Sequence, residues 1–230
     1  SGPSQQVNPS DLPGPVHRWL EHSVEKDTWL PLGARLSMHG EIKVGRWRPF
    51  TAHQVLSPEG FVWAATAGNF PMRIHGFDRC SSGTGEMRWK LAGIVPVMSA
   101  SDADTYRSAA GRLAGETMLL PGAVLSDRVS WSDDDDENHA TAIVTNGPFT
   151  HRVTVEISPD GRLESVSLPR WGNPDGEAHR EHIFGVEFEC DQQIGNYRVP
   201  REMRAGWWFG TPRWAEGEFF RAMIDSMEFF

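Results

Sequence analysis

Three side chains in this sequence combine a type that moves protons near neutral pH with an expected inward position: Glu116, His151 and His182. Glu116 shares a helical face with Ala109, Leu113 and Leu120, so its carboxylate is expected to project among apolar neighbours. A carboxyl desolvated there would have a raised pKa and could act as a general acid or base. The competing reading is structural, a carboxylate held by Arg112 or by a strand backbone. His151 alternates with Val153, Val155 and Ile157, and His182 with Phe184, Val186, Phe188 and Cys190, which puts each imidazole on its strand's apolar face. Two inward imidazoles beside an inward carboxylate would form an acid–base constellation. A lone histidine on an apolar face is more often a satisfied core residue.

Aromatic residues supply the second kind of candidate. Trp47-Arg48-Pro49-Phe50-Thr51-Ala52 and Gly60-Phe61-Val62-Trp63-Ala64-Ala65 read as consecutive strands whose rings line one sheet face. Such a face either packs a core or walls a cavity for an apolar molecule. Trp47, Phe50, Trp63, Trp89, Tyr106, Tyr197, Trp207 and Trp208 therefore form the expected ligand-binding set. The dense cluster Trp207-Trp208-Phe209, with Trp214 nearby, reads as rim, lid or core.

Other chemistries lack their residues. His179-x-x-His182 with Glu181 has a metal-like look, but residues three apart on a strand face opposite sides, and no third ligand stands at a recognised spacing. The run Asp133-Asp134-Asp135-Asp136-Glu137 lacks the glycine and terminal glutamate of a calcium loop and reads as a solvated hairpin turn. There is no nucleophile elbow, P-loop, dinucleotide fingerprint or H-E-x-x-H motif. No metal or cofactor is expected. The net charge of −9 argues against a nucleic-acid backbone or an anionic membrane as partner. No run approaches the roughly 20 apolar residues of a spanning helix. Cys80 and Cys190 stand far apart and outside any C-x-x-C spacing, and are expected as two thiols. The opening residues carry neither a basic nor an apolar signal region, so the expected location is cytoplasmic, with a signal removed before Ser1 left open. Oligomeric state is not legible.

The elements that must position these residues follow from periodicity. Residues 1–11 read as a disordered leader or cloning remnant, and 12–230 as a single domain. Pro15 with Val16, Trp19, Leu20 and Val24 predicts a helix over 15–27. From Arg35 the period becomes two, with Leu36, Met38, Ile42 and Val44 on one face. Further strands are predicted near 47–56, 60–67, 70–79 and 85–92. Ser101-Asp102-Ala103-Asp104 resembles a capping box and opens a helix over 102–120, stopped by Pro121-Gly122. Strands near 127–131, 139–145, 149–157, 162–168, 182–190, 197–209 and 216–229 follow, the last also fitting a helical period. The fold class is α+β, dominated by one large antiparallel sheet.

Leu12-Pro13-x-Pro15-Val16-x-Arg18-Trp19-Leu20, the Trp47/Phe50/Ala52/Gln54 strand and Gly60-Phe61-Val62-Trp63-Ala64 carry a resemblance. Arg112-Leu113-Ala114-Gly115-Glu116, Leu120-Pro121, Val129-Ser130-Trp131 and Arg198-Val199-Pro200 continue it in order. Over 12–230 the chain resembles a bacterial family, the domain of unknown function 6544. The resemblance implies a lipoprotein-carrier-like half-barrel: a strongly curved antiparallel sheet partly wrapped around a helix, with a strand at 216–229. It implies no activity. The chain departs from the family at Gly195-Asn196-Tyr197 and at Ala114-Gly115, both expected near the cavity.

Three functional readings result. In the first, the cavity binds an apolar small molecule and Glu116, with His151 or His182, catalyses cofactor-independent cyclisation or isomerisation. In the second, the protein is a carrier or sensor of a lipid or other hydrophobic ligand. In the third, the aromatic residues are all core. An organised carboxylate–histidine pair in the cavity would speak for the first, an apolar cavity for the second and a filled interior for the third.

Overall fold

The structure, a computed structural model, describes residues 12–132 and 136–230. The expected leader, and residues 133–135 of the expected acidic turn, lie outside the described residues. A short helix α1 (Gly14–Ser23) precedes six strands: β1 (Ala34–Val44), β2 (Arg46–Ser57), β3 (Gly60–Ala67), β4 (Ile74–Ser81), β5 (Thr84–Leu91) and β6 (Val95–Ala100). Helix α2 (Ala103–Thr117) and a single 3-10 turn (Ala123–Leu125) follow. Seven strands then complete the sheet: β7 (Val129–Trp131), β8 (His139–Asn146), β9 (Phe149–Ile157), β10 (Leu163–Gly172), β11 (Arg180–Ile194), β12 (Tyr197–Trp207) and β13 (Glu218–Phe229), with the one-turn helix α3 (Trp214–Gly217) before the last.

All thirteen strands belong to one sheet, ordered β6-β5-β4-β3-β2-β1-β13-β12-β11-β10-β9-β8-β7. Every pairing within it is antiparallel. Its curvature follows from what α2 touches. The helix packs on β4 and β5 and also on β8, β9 and β10. β5 and β9 are nine strand positions apart, which in a flat sheet is about 40 Å, while a helix is only about 10 Å across. One helix reaches both only if the sheet curls around it into a half-barrel.

The sheet's concave face holds two apolar clusters, with α2 contributing to both. Ala114 and Met118 join Val16, Trp19, Val144, Val153, Val155 and Leu168 on the β7–β12 side. Leu113 and Leu120 join Leu36, Phe50, Leu56, Phe61, Trp63 and Ile224 on the other. Burying each such large side chain stabilises the fold by about 1.5–3 kcal/mol. α2 itself is well started, because the Asp102 carboxylate accepts the Thr105 N–H at 2.8 Å. Both cysteines are free thiols, and burial pushes Cys80 up to about 11. No described helix is long and apolar enough to cross a membrane.

Several boundaries differ from expectation. The first helix stops at Ser23 rather than 27, because Val24 turns extended (φ −133°, ψ 123°) and bridges Tyr197. β6 was not foreseen: Val95, Pro96, Val97 and Met98 are all exposed, so no burial alternation marks them. The segment expected at 216–229 is a strand over Glu218–Phe229, as the resemblance implies, held between β1 and β12, while Glu216 and Gly217 belong to α3.

Candidate functional site

Strand register builds a polar cluster beneath α2. Leu36, Gln54, Trp63, Asp78 and Met87 face one another in a single row across β1 to β5. Gln54 and Asp78 thus occupy inward positions otherwise taken by apolar side chains, and α2 places Arg112 and Glu116 above them. One helical turn separates Arg112 from Glu116, so the Arg112 Nε donates to Glu116 Oε1 at 2.7 Å. The Arg112 Nη1 donates to Asp78 Oδ2 at 3.3 Å. Gln54 Nε2 donates to Glu116 Oε2 at 2.6 Å, and the Trp89 indole N–H to Asp78 Oδ1 at 2.9 Å. The Arg112 guanidinium lies 4.4 Å from the Phe61 ring centre and 5.4 Å from that of Trp63. Burial pushes the Asp78 carboxyl above its usual range, opposed by Arg112 and by the Trp89 hydrogen bond.

Arg112 also lines a cleft of about 370 Å³. One wall comes from β3 to β6, with Phe61, Asp78, Met87, Met98 and Ala100; the floor is the first half of α2, with Asp104, Thr105, Ser108 and Ala109. Arg170, Gly172 and Trp207 make the opposite wall. Gly172 is required there, since a Cβ would sit 2.5 Å from the Trp207 ring lying across it. The acids facing the cleft are engaged. Asp78 is held as above, Glu86 pairs with Arg79 and Arg88, and Asp104 accepts the Trp171 indole N–H at 2.8 Å.

The three expected proton movers are not assembled as a catalytic group. Glu116 is inward, as its helical phase requires, but both its oxygens are occupied by Arg112 and Gln54, and it is not among the residues lining the cleft. Its neighbour's charge favours the structural reading, with Glu116 positioning Arg112. His151 and His182 do face inward, yet the Nε2 of each is buried without a hydrogen-bond partner among the described residues. His182 packs edge-on against Trp207 and Trp208. His151 meets α2 at Gly111, where burial and the nearby Arg107 and Arg170 hold its pKa below the ordinary value despite Glu181.

The aromatic set divides. Of its eight members, Trp207 lines the cleft. Phe50 and Trp63 are core, packed edge-on with each other at 5.9 Å and against Phe220. Trp89 packs on Trp63 at 5.7 Å and serves the cleft indirectly through Asp78. Tyr106 packs on Phe149. Tyr197 packs on Phe229 and donates its hydroxyl to the Trp29 carbonyl, beside the end of α1. Trp208 lies under the Arg213 guanidinium at 3.7 Å. Trp47 corrects the expectation of one aromatic face: it stands three residues from Phe50, hence on the opposite face, with Arg221 over its ring at 4.5 Å. Both departures from the family pattern also lie away from the cleft lining, Asn196 by the α1 end and Ala114-Gly115 against the β10 core. The residues that sequence reasoning missed are Asp78 and Arg170, polar side chains in alternation with apolar ones. No group of three or more potential metal ligands occurs among the described residues.

Four chains among solved structures match this one. A LolA superfamily protein from Nitrosomonas europaea is 9% identical, with 94% of this chain and 92% of that one covered and a TM-score of 0.47. A DUF1329 family protein from Desulfovibrio piger is 12% identical, with 94% and 90% covered and a TM-score of 0.50. At such identity the second likeness bears on the fold alone, where it agrees with the curled antiparallel sheet. No curated protein sequence matches. The model of a family of unknown function, DUF6544, matches residues 3–219, and the chain belongs to that family.

Proposed function

We propose that the protein binds an apolar small molecule in the cleft beside the first half of α2 and acts as its carrier or sensor. One observation supports this above others: Phe61, Met87, Met98 and Trp207 converge on open space beside the two packed clusters of the concave face. Apolar side chains around a cleft of this size are the usual surroundings of a small hydrophobic ligand. Methionines on its β5–β6 wall add side chains that adapt to different apolar shapes. Acid–base turnover gains no support from the geometry, since Glu116 is committed to Arg112 and neither histidine reaches a carboxylate.

Titration with the neutral fluorophore N-phenyl-1-naphthylamine tests the reading. Saturable one-site binding is expected, with quenching of tryptophan emission through Trp207. Met98→Ser, on an exposed edge strand, should weaken binding several-fold while leaving the melting temperature unchanged. A flat titration, or binding indifferent to Met98→Ser and to Trp207→Ala together, would place the ligand elsewhere or nowhere.

A further inference from the structure

The cation at the cleft's far wall differs from every other arginine around it. Arg170 continues the inward series Val166, Leu168 on β10, so alternation delivers a guanidinium where two apolar side chains precede it. Its Nε donates to the Ser108 carbonyl at 3.1 Å. It lies against the rings of Phe184, 4.7 Å away, and Trp207, 5.3 Å away, which meet each other edge-on. No carboxylate lies within ion-pairing distance of it among the described residues. Asp78 and Glu116 act on it only at longer range, because both are bonded to Arg112. Burial pulls its pKa down to about 10, which leaves it charged at neutral pH.

A fixed, charged guanidinium with unfilled N–H groups at the wall of an apolar cleft is a receptor for an anion. A guanidinium offers five donors in a rigid fork, and Ser108 takes one of them. Its remaining N–H groups are not among the buried unpaired atoms of the described residues, so a ligand oxygen in the cleft can reach them. The acids around the cleft do not compete for it, since Asp78, Glu86 and Asp104 each hold other partners.

We infer that the occupant of the cleft is an amphiphile whose anionic head, a carboxylate or phosphate monoester, docks on Arg170 while its apolar tail lies against Phe61, Met98 and Trp207. This rests on the cleft being the ligand site. Arg170 then sets specificity, separating acids from neutral lipids of the same chain length. Gly111 supports the arrangement from the helix side: a Cβ there would come within 3.2 Å of the Arg170 Cγ and push the guanidinium away.

Displacement of N-phenyl-1-naphthylamine by decanoate, decyl phosphate and decanol at pH 7.5 separates the possibilities. The wild type should bind at least one of the two anions about tenfold or more tightly than decanol. Arg170→Gln should abolish that preference while leaving decanol affinity within twofold, and Arg170→Lys should retain part of it. If the wild type binds acid and alcohol equally, the head-group assignment is overturned and the apolar-ligand reading stands; the wild-type comparison decides this even if Arg170→Gln fails to fold. A preference that survives Arg170→Gln also overturns it. Failure of all three compounds to displace a bound probe, or of the probe to bind, removes the cleft reading and this assignment with it.

Discussion

At its C-terminal end α2 presents Leu113, Ala114 and Met118 to the sheet, followed by Leu120, and all four are buried. At its N-terminal end the same helix presents Asp104, Thr105, Ser108 and Ala109 to an open cleft. The sheet curls around both ends. The apolar end fills the concavity and joins two clusters; the polar end, with small side chains, leaves room. Curvature alone therefore does not open a cleft in this fold. What opens one is a helix face that stops being large and apolar before the sheet stops being concave, and Arg112 stands where the change occurs.

The largest expected effect lies at the filled end. Met118→Ala should lower stability by about 2–5 kcal/mol, because a fully buried side chain leaves a cavity. Ser108→Ala, on the cleft floor, should stay within about 0.5 kcal/mol. Urea denaturation of the two variants checks the contrast, and comparable losses would show that both ends are packed alike.

A smaller effect is expected at the changeover. Arg112→Met leaves Asp78 and Glu116 without their shared cation and should cost about 2 kcal/mol, below the value for a fully buried pair because Arg112 retains partial solvent contact. Glu116→Gln keeps the shape and leaves Arg112 its bond to Asp78, so about 1 kcal/mol is expected. Ligand affinity should survive Glu116→Gln. A larger loss from Glu116→Gln than from Arg112→Met would make the carboxylate, and not the guanidinium, the hub of the cluster.

The smallest effect concerns pH, at Gly111 between the two ends. Burial lowers the His151 pKa below its ordinary 6.5, so on acidification the unfolded chain takes up that proton before the folded one. Stability from this residue is present above about pH 6.5 and is lost as pH falls toward the folded-state value. The drop in urea midpoint from pH 7.5 to 5.5 should be shallower in His151→Gln than in the wild type. Equal drops would show that His151 takes up its proton as readily in the folded chain.

Much of the sheet was legible because period-two alternation and turn residues survive wherever one face is packed. Gly60–Ala67 and Phe149–Ile157 appear at their predicted bounds. Where burial fails, as in β6, the pattern that marks a strand fails with it. The helix and the inward phase of Glu116 were legible from spacing. Its partners were less so: Arg112 is a neighbour on the helix, but Gln54 and Asp78 come from strands whose register only the fold reveals. A signal for them exists in the sequence. Gln54 interrupts Ala52 and Leu56, and Arg170 follows Val166 and Leu168, each a polar residue in an apolar series. Trp47 misled for the opposite reason, because aromatic density was counted without its parity against Phe50.

The ladder at the middle of the sheet has a bearing on the order of assembly. β1 to β6 pair only with sequence neighbours among themselves, and so do β7 to β13. The two series become one sheet where Ala34–Ile42 meets Phe220–Phe229, across most of the chain's length. Hairpins close in microseconds, whereas contacts of such separation carry the cost of closing a long loop. Each meander can thus take shape early, and the seam between β1 and β13 joins them late. α2, lying between the meanders in sequence and touching both in space, is the second fastening across that seam. The cleft, walled by β3–β6 on one side and β10–β12 on the other, exists only once both fastenings have closed.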